Sequence, residues 1–230
     1  MARPITLMSR ALRQVETDMQ LPQRFRRLPI IFLLDSAADM VGAKEMALIE
    51  GITYMLQELR QHHDVAEITY ITTITATTGL TMLESLSDYN FERYPLTGTT
   101  QLSPLLTKVH EIMQLDLIDP SPYHPGDCNP IIVLILNHSP RDDWRELATQ
   151  LSSLSHFRPF IIAFQSHREN MNDLKTLTPF IFTGVHEGAV YVHSFLQWAT
   201  AAIVTICTTT QQQADLAITL PEVPSGIVTM

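Results

Sequence analysis

The chain has 230 residues, 45% of them hydrophobic and 17% charged, and a formal net charge of −9. That length and composition are ordinary for one globular domain with short extensions. Residues 1–28 carry six arginines against Glu16 and Asp18, a local +4 that leaves −13 on the remainder, and so acidic a body argues against a nucleic-acid groove. The basic segment is expected to fold back on its own acidic domain, or else to touch an acidic partner.

No continuous apolar run approaches the roughly 20 residues of a membrane helix, and residues 1–27 lack the pattern of a secretory leader. A cytoplasmic protein without a membrane partner is the expectation. Cys128 and Cys207 stand far apart and outside any metal-ligand spacing, and they read as two reduced thiols.

In chain order, residues 1–27 form a basic extension with a short helix expected around Thr6–Met19. Leu28–Leu34, LPIIFLL, is an unbroken apolar run of the kind buried on both faces at the centre of a parallel sheet. Asp35 follows at its carboxyl end, where open α/β sheets gather their ligands. Ala43–Arg60 has Met46, Ile49, Ile52, Leu56 and Leu59 at helical spacing. Glu67–Thr78 is β-branched and reads as a strand, with a further strand or hairpin within Gly79–Leu86.

The pattern then predicts a helix over Leu102–Leu115 with Pro104 in its first turn, and a proline-dense loop over 116–130. Ile131–Leu136 is a second buried strand, ending at Asn137. Trp144–Leu154 reads as a helix, Phe160–Phe164 as a strand, Asn170–Leu177 as a helix and Phe180–Thr183 as a short strand. A helix over Val192–Ile206 and a terminal strand at Ile227–Thr229 complete the series. The alternation predicts an α/β, doubly wound, mostly parallel central sheet with helices on both faces. The domain is placed at 28–206, with the 1–27 extension before it and a C-terminal tail at 207–230.

LPIIFLLDSAADMVG, TGTTQL and IIVLILNHSPRDDW, in that order, resemble the three motif segments of von Willebrand factor A (vWA) domains. The similarity is greatest to the bacterial TerY-type tellurite-resistance proteins. Met40, Gly42, Gly51, Gly98, Thr99, Leu102, Pro140, Asp142, Asp143 and Trp144 match in register, and SFLQWATAAI and LPEVP are similar to that family's last helix and tail. The resemblance implies a Rossmann-like vWA fold over about residues 28–224. It also implies a metal-ion-dependent adhesion site, in which hydroxyls and two aspartates from three loops hold Mg²⁺ or Mn²⁺.

Carried over position by position, that site is degenerate. Asp35 stands at the first aspartate and Thr99 at the threonine, but Ala37 and Asp39 replace the two serines and Asn137 the second aspartate. His138 takes the place of the glycine that follows. A hard cation needs about six oxygens, and losing ligating or supporting groups weakens a site by about 10–100-fold each. A metal-free scaffold with no cofactor is therefore the leading expectation. The alternative is a rearranged divalent-metal site using Asp35, Asp39 and Thr99.

Asp35 and Asp39 also read as helix caps, and Asp142–Asp143 as the start of the Trp144 helix. A catalytic Ser/His/Asp set from Ser36, Ser139, His138 and Asp35 lacks a nucleophile elbow, and no phosphate-cradling glycine loop is present, so no enzymatic activity is expected. His62–His63 and the His186/His193 pair lack zinc-ligand spacing. What the resemblance implies is a non-catalytic protein–protein interaction module, with kinase-like or phosphatase-like partners in a stress or tellurite-resistance operon. Its contact residues are expected to be Ser36, Asp39, Thr97, Thr99, Thr100, His138 and Arg141.

Overall fold

Every residue of strand β1 (Leu28–Leu34) is buried, and its side chains divide between two cores. Ile30, Phe32 and Leu34 join one core, Ile31 and Leu33 the other, as the two-residue period of a strand requires. The structure is a computed structural model that describes residues 26–79, 81–121, 126–153, 157–212 and 220–230. The helix expected around Thr6–Met19 lies outside the described residues.

β1 pairs in parallel with β2 (Thr69–Ile74) on one side and with β4 (Ile131–Leu136) on the other. β5 (Phe160–Gln165) and β6 (Phe180–Gly184) extend the parallel sheet. The two-residue β3 (Glu84–Ser85) and β7 (Ile227–Thr229) close the edges in antiparallel fashion. The order β3-β2-β1-β4-β5-β6-β7 gives a seven-stranded, mostly parallel sheet, as expected. Winding reverses between β1 and β4, so their carboxyl ends, Asp35 and Asn137, meet at the topological switch point.

Helix α1 (Ala43–Gln61) packs on one face of the sheet with α5 (Ala189–Gln212). Helices α3 (Ser103–Leu115) and α4 (Arg145–Ser153) cover the other face. The buried stripe of α1 is Ala47, Leu48, Gly51, Ile52, Met55, Leu56 and Leu59, so Met46, expected inward, is instead exposed beside Arg93. Gly51 allows α1 and α5 to approach closely: a Cβ there would lie 3.0 Å from Leu196 Cβ.

Several boundaries move for visible reasons. Glu67 and Ile68, expected in a strand, close the short helix α2 (His63–Ile68), which buries Val65 and Ile68 and is followed by a Thr69 Oγ1–H to Val65 C=O bond of 2.6 Å. The segment near 170–177 is a 3₁₀ turn, Met171–Thr176, entered through Asn170 at φ 45°, a left-handed conformation that asparagine tolerates. The further strand expected within Gly79–Leu86 is β3, and beside it Leu83 N–H donates to Asp116 Oδ2 at 2.6 Å.

The tail is no appendage. α5 continues through Cys207 to Gln212, Trp198 Nε1–H reaches Pro221 O at 3.0 Å, and β7 pairs with β6. Residues 220–230 therefore complete the sheet domain. α5 also corrects the reading of apolar runs: Ala189–Thr208 is long and apolar enough to cross a membrane. Half of it is buried here, with Phe195, Leu196 and Trp198 in the core.

At the other end of the sheet, Arg27 forks onto the buried Asp127 at 3.0 and 2.7 Å and donates to Asp116 O at 2.6 Å. Arg26 donates to Asp127 O at 2.7 Å. Both arginines of the basic segment fold back on the domain, Arg27 on its carboxylates and Arg26 on backbone carbonyls.

Candidate functional site

β1, β4 and β5 end side by side, and polar residues at or just past their carboxyl ends build the site. Asp35 is 2% exposed and spends both carboxylate oxygens internally. Oδ1 accepts the Ala37 N–H at 2.9 Å, while Oδ2 accepts the Thr100 hydroxyl at 2.6 Å and the Asn137 N–H at 2.9 Å. Tyr94 donates its hydroxyl to the Asp35 carbonyl at 3.2 Å. Burial pushes the Asp35 carboxyl above its ordinary range, against the pull of those hydrogen bonds. Burial, and then the charges of Asp35 and Glu45, also raise the Tyr94 phenol.

The threonine that meets Asp35 is Thr100. Thr99, to which the resemblance assigned the ligand hydroxyl, is exposed. The register differs by one residue because the Gly98 turn, at φ 76°, brings its own carbonyl onto Ala38 N–H at 3.2 Å and turns Thr100 inward.

Asp39 stands in the 3₁₀ turn Ala38–Met40 and pairs with His138 Nε2 at 2.6 Å. Partial desolvation would raise its carboxyl, but the Asn137 amide and the His138 ring together bring it below the ordinary value. The Asn137 Nδ2 exerts this pull without a partner at hydrogen-bond geometry.

Asn137 is 0% exposed, and its Oδ1 accepts a 2.6 Å hydrogen bond from Lys44 Nζ, reaching in from the first turn of α1. The same ammonium contacts His167 Nε2 at 3.1 Å, and His167 Nδ1 contacts Glu187 Oε1 at 2.7 Å. An ammonium has no acceptor, so Nε2 must accept and Nδ1 must carry the proton that goes to Glu187. The His138 and His167 rings stack with centroids 4.0 Å apart. Gln165 braces these loops from beneath, donating to Ser139 Oγ at 3.1 Å and Glu169 O at 2.8 Å.

Lys44, His167, Glu187 and Gln165 were not singled out in the sequence. His167 was within reach, because it stands two residues past the end of β5, at the edge where Asp35 follows β1. Nothing in the sequence marks Lys44, an ordinary helix residue until the fold sets it beside Asn137.

The expected contact residues separate by burial. Asp39, Thr97, Thr99 and Arg141 are exposed and the His138 side chain is 33% exposed, whereas Ser36 and Thr100 are buried and cannot form an outer surface. Ser36 acts through its backbone, accepting Thr97 N–H at 2.6 Å. The Ser/His/Asp trio is not assembled either, since Ser139 Oγ–H goes to Glu169 O and His138 to Asp39. Asp142 does not start α4 but caps α3, accepting Leu102 N–H at 3.0 Å and Ser103 N–H at 2.5 Å.

A divalent cation does not fit these residues. The Ala37 side chain has no oxygen to offer, Asp35 already accepts three hydrogen bonds, Asp39 pairs with His138, Thr99 is exposed, and Asn137 already receives an ammonium. Among the described residues no three His, Cys, Asp or Glu side chains are grouped to hold a metal. A separate cleft of about 450 Å³ lies along the β2 edge, lined by Thr72, Thr73, Glu84, Tyr89 and Tyr94 among others.

No family model and no curated protein matches the chain. Solved structures do. A von Willebrand factor type A protein from Catenulispora acidiphila superposes with a TM-score of 0.51 at 13% identity, covering 78% of this chain and 43% of that one. Proximal thread matrix protein 1 of the mussel byssus gives 0.56 at 12% identity, covering 78% and 48%. The pilus adhesin SpaC of Lactobacillus rhamnosus GG gives 0.58 at 10% identity, covering 80% and 31%. The chain thus spans less than half of each of those structures. What is shared at such identities is the fold, and it is the vWA fold.

Proposed function

We propose that this chain is a non-catalytic protein–protein interaction module on the vWA fold, whose carboxyl-edge loops work without a divalent metal. The observation that carries the reading is the pairing of an Asp35 that already accepts three hydrogen bonds with a lysine ammonium on Asn137. A corner that is internally hydrogen-bonded and already holds a positive charge gains little from a cation. It presents a preorganised rim instead, with Asp39, Thr97, Thr99 and Arg141 as its exposed polar groups and His138 half-buried beside them. Recognition on such a rim rests on direct hydrogen bonds and apolar contacts.

The resemblance to the TerY-type group extends the reading to kinase-like or phosphatase-like partners in a cytoplasmic bacterial stress or tellurite-resistance system. The rearranged metal site is the weaker reading, because Asp35, Asp39 and Thr99 do not converge.

Calorimetric titration of the purified protein with Mg²⁺ and Mn²⁺ tests this. No binding heat and no rise in melting temperature at millimolar cation is the expected result. An ion at one hundred times its Kd stabilises by about 2.7 kcal/mol, which a melt would register, and such a rise overturns the reading.

A further inference from the structure

The connection from β3 to α3 is long for a compact domain: residues 86–102 contain no helix or strand. Connections beyond about 12–15 residues without secondary structure are uncommon and tend to be functional. The first part of this one is firmly held. Leu86 and Tyr89 are buried, Arg60 of α1 donates to Leu86 O at 3.0 Å and to Tyr89 O at 2.5 Å, and the Phe91 and Tyr94 rings meet edge to face at 6.5 Å. Residues 88–95 of this loop, together with Thr72 and Thr73 of β2 and with Thr81 and Glu84, line the cleft of about 450 Å³ beside β2. Pockets for small molecules run from about 300 to 1,000 Å³, so the space is of a useful size.

The charge in that lining is one-sided. Glu84, Asp88 and Glu92 are exposed, and none of the three has an ion-pair partner among the described residues. Arg93 lines the cleft as well, but its Nη2 goes to Met46 Sδ on α1 at 3.5 Å. Burial first, and then the charges of Glu84 and Glu92, push the Tyr89 phenol up to about 12 against the pull of its Thr73 hydrogen bond. Two carboxylates from different segments thus act on one hydroxyl of the cleft.

The hydroxyls of the lining offer acceptors more than donors. Thr72 donates to Thr81 Oγ1 at 2.9 Å, Thr81 to Thr73 O at 3.5 Å and Tyr94 to Asp35 O at 3.2 Å. Thr73 and Tyr89 share one bond of 2.5 Å. With most of these protons spent, the remaining oxygen lone pairs and the carboxylates suit a ligand that only donates. A guanidinium has five N–H groups and no acceptor, and its planar fork matches a carboxylate at a lower desolvation cost than an ammonium. A sugar or other polyol is a poorer fit, because its own oxygens need donors as well.

We propose that the cleft beside β2 is a binding site for a small organic guanidinium compound, which Glu84 and Glu92 hold by charge while the Thr73 and Tyr89 oxygens accept from it. The site goes beyond the interaction-module reading and does not depend on it.

The probe is n-butylguanidinium, with n-butylurea as its neutral isostere. Each is titrated at matched ionic strength into the whole chain while the Thr73 and Thr81 methyl signals and the Tyr89 ring signals are followed by NMR. A saturable shift with the guanidinium compound only is expected, weakened at least tenfold in the double variant Glu84→Gln/Glu92→Gln. Equal response to both compounds, response to neither, or undiminished binding in the double variant overturns the proposal. Both changes fall on exposed side chains, and the wild-type arm decides the matter even if the variant fails to fold. A blocked glycyl-arginyl-glycine peptide is the last arm: binding tighter than that of n-butylguanidinium gives the occupant to a protein partner and overturns the small-molecule assignment. Each of these outcomes leaves the metal-free reading standing, because that reading rests on Asp35, Asn137 and Lys44.

Discussion

Thr100 donates its hydroxyl to Asp35 across 2.6 Å, tying the end of β1 to the loop that leads into α3. The bond is one of three that Asp35 accepts, and together they make this carboxylate the internal fastener of the carboxyl edge.

Asp35→Ala leaves the Ala37 N–H, the Asn137 N–H and the Thr100 hydroxyl without their acceptor in a buried corner. Unsatisfied buried groups cost about 1–3 kcal/mol each, so a total loss of at least about 3 kcal/mol is expected in urea denaturation. The pH dependence has a definite sign. Burial raises the folded-state pKa of Asp35 above its unfolded value, so the native state takes up this proton first as pH falls. Wild type should therefore gain stability relative to Asp35→Asn as pH drops through the raised value. Melts of both proteins from neutral pH downward measure that difference.

Arg27 and Asp127 form a forked pair whose acid is fully buried, and the Asp127 hydrogen bond is the main reason the guanidinium pKa is raised. Removing one partner leaves an uncompensated buried charge. Arg27→Met should cost about 3 kcal/mol, and the double change Arg27→Met/Asp127→Leu less than the sum of the single ones. A double-mutant cycle from urea melts reads the coupling.

Asp142 holds the start of α3 from forty residues downstream in the chain. Asp142→Ala should cost about 1–2 kcal/mol as the loss of a helix cap, and Asp142→Asn, still able to accept, clearly less. Thermal denaturation separates the two.

Gly51→Leu sets a large side chain against Leu196, where a Cβ alone would lie 3.0 Å from Leu196 Cβ. Overpacking of this kind costs about 1–3 kcal/mol, more than a helix regains by losing a glycine. A lowered melting temperature with unchanged helical circular dichroism at low temperature is expected.

Burial pushes the Cys207 thiol up to about 12 and raises the half-buried Cys128 as well. Since the thiolate is the reactive form, a thiol reagent at neutral pH should leave Cys207 unmodified in the native protein and label it in urea. Mass spectrometry of the labelled peptides reports this.

The sheet was legible because its central strands are unbroken apolar runs. Leu28–Leu34 and Ile131–Leu136 have no polar residue on which to place a solvent face, so both must lie inside a parallel sheet. Asp35 and Asn137 were legible as candidate site residues because each is the first polar residue after such a run. Short elements such as α2 and β3 were not, since their local pattern is too brief to outweigh tertiary contacts.

The chemistry of the corner was a tertiary decision. The residue string places Asp35, Asn137 and a threonine pair at the right intervals and shows that serine oxygens are lacking at 37 and 39. It cannot say that Thr100 rather than Thr99 turns inward, that Asp39 leans onto His138, or that Lys44 reaches Asn137 across ninety-three positions of sequence. Hydrophobic periodicity is local and so survives in one dimension. Hydrogen-bond partners are chosen by whichever loops the sheet order brings together, and that choice exists only in three.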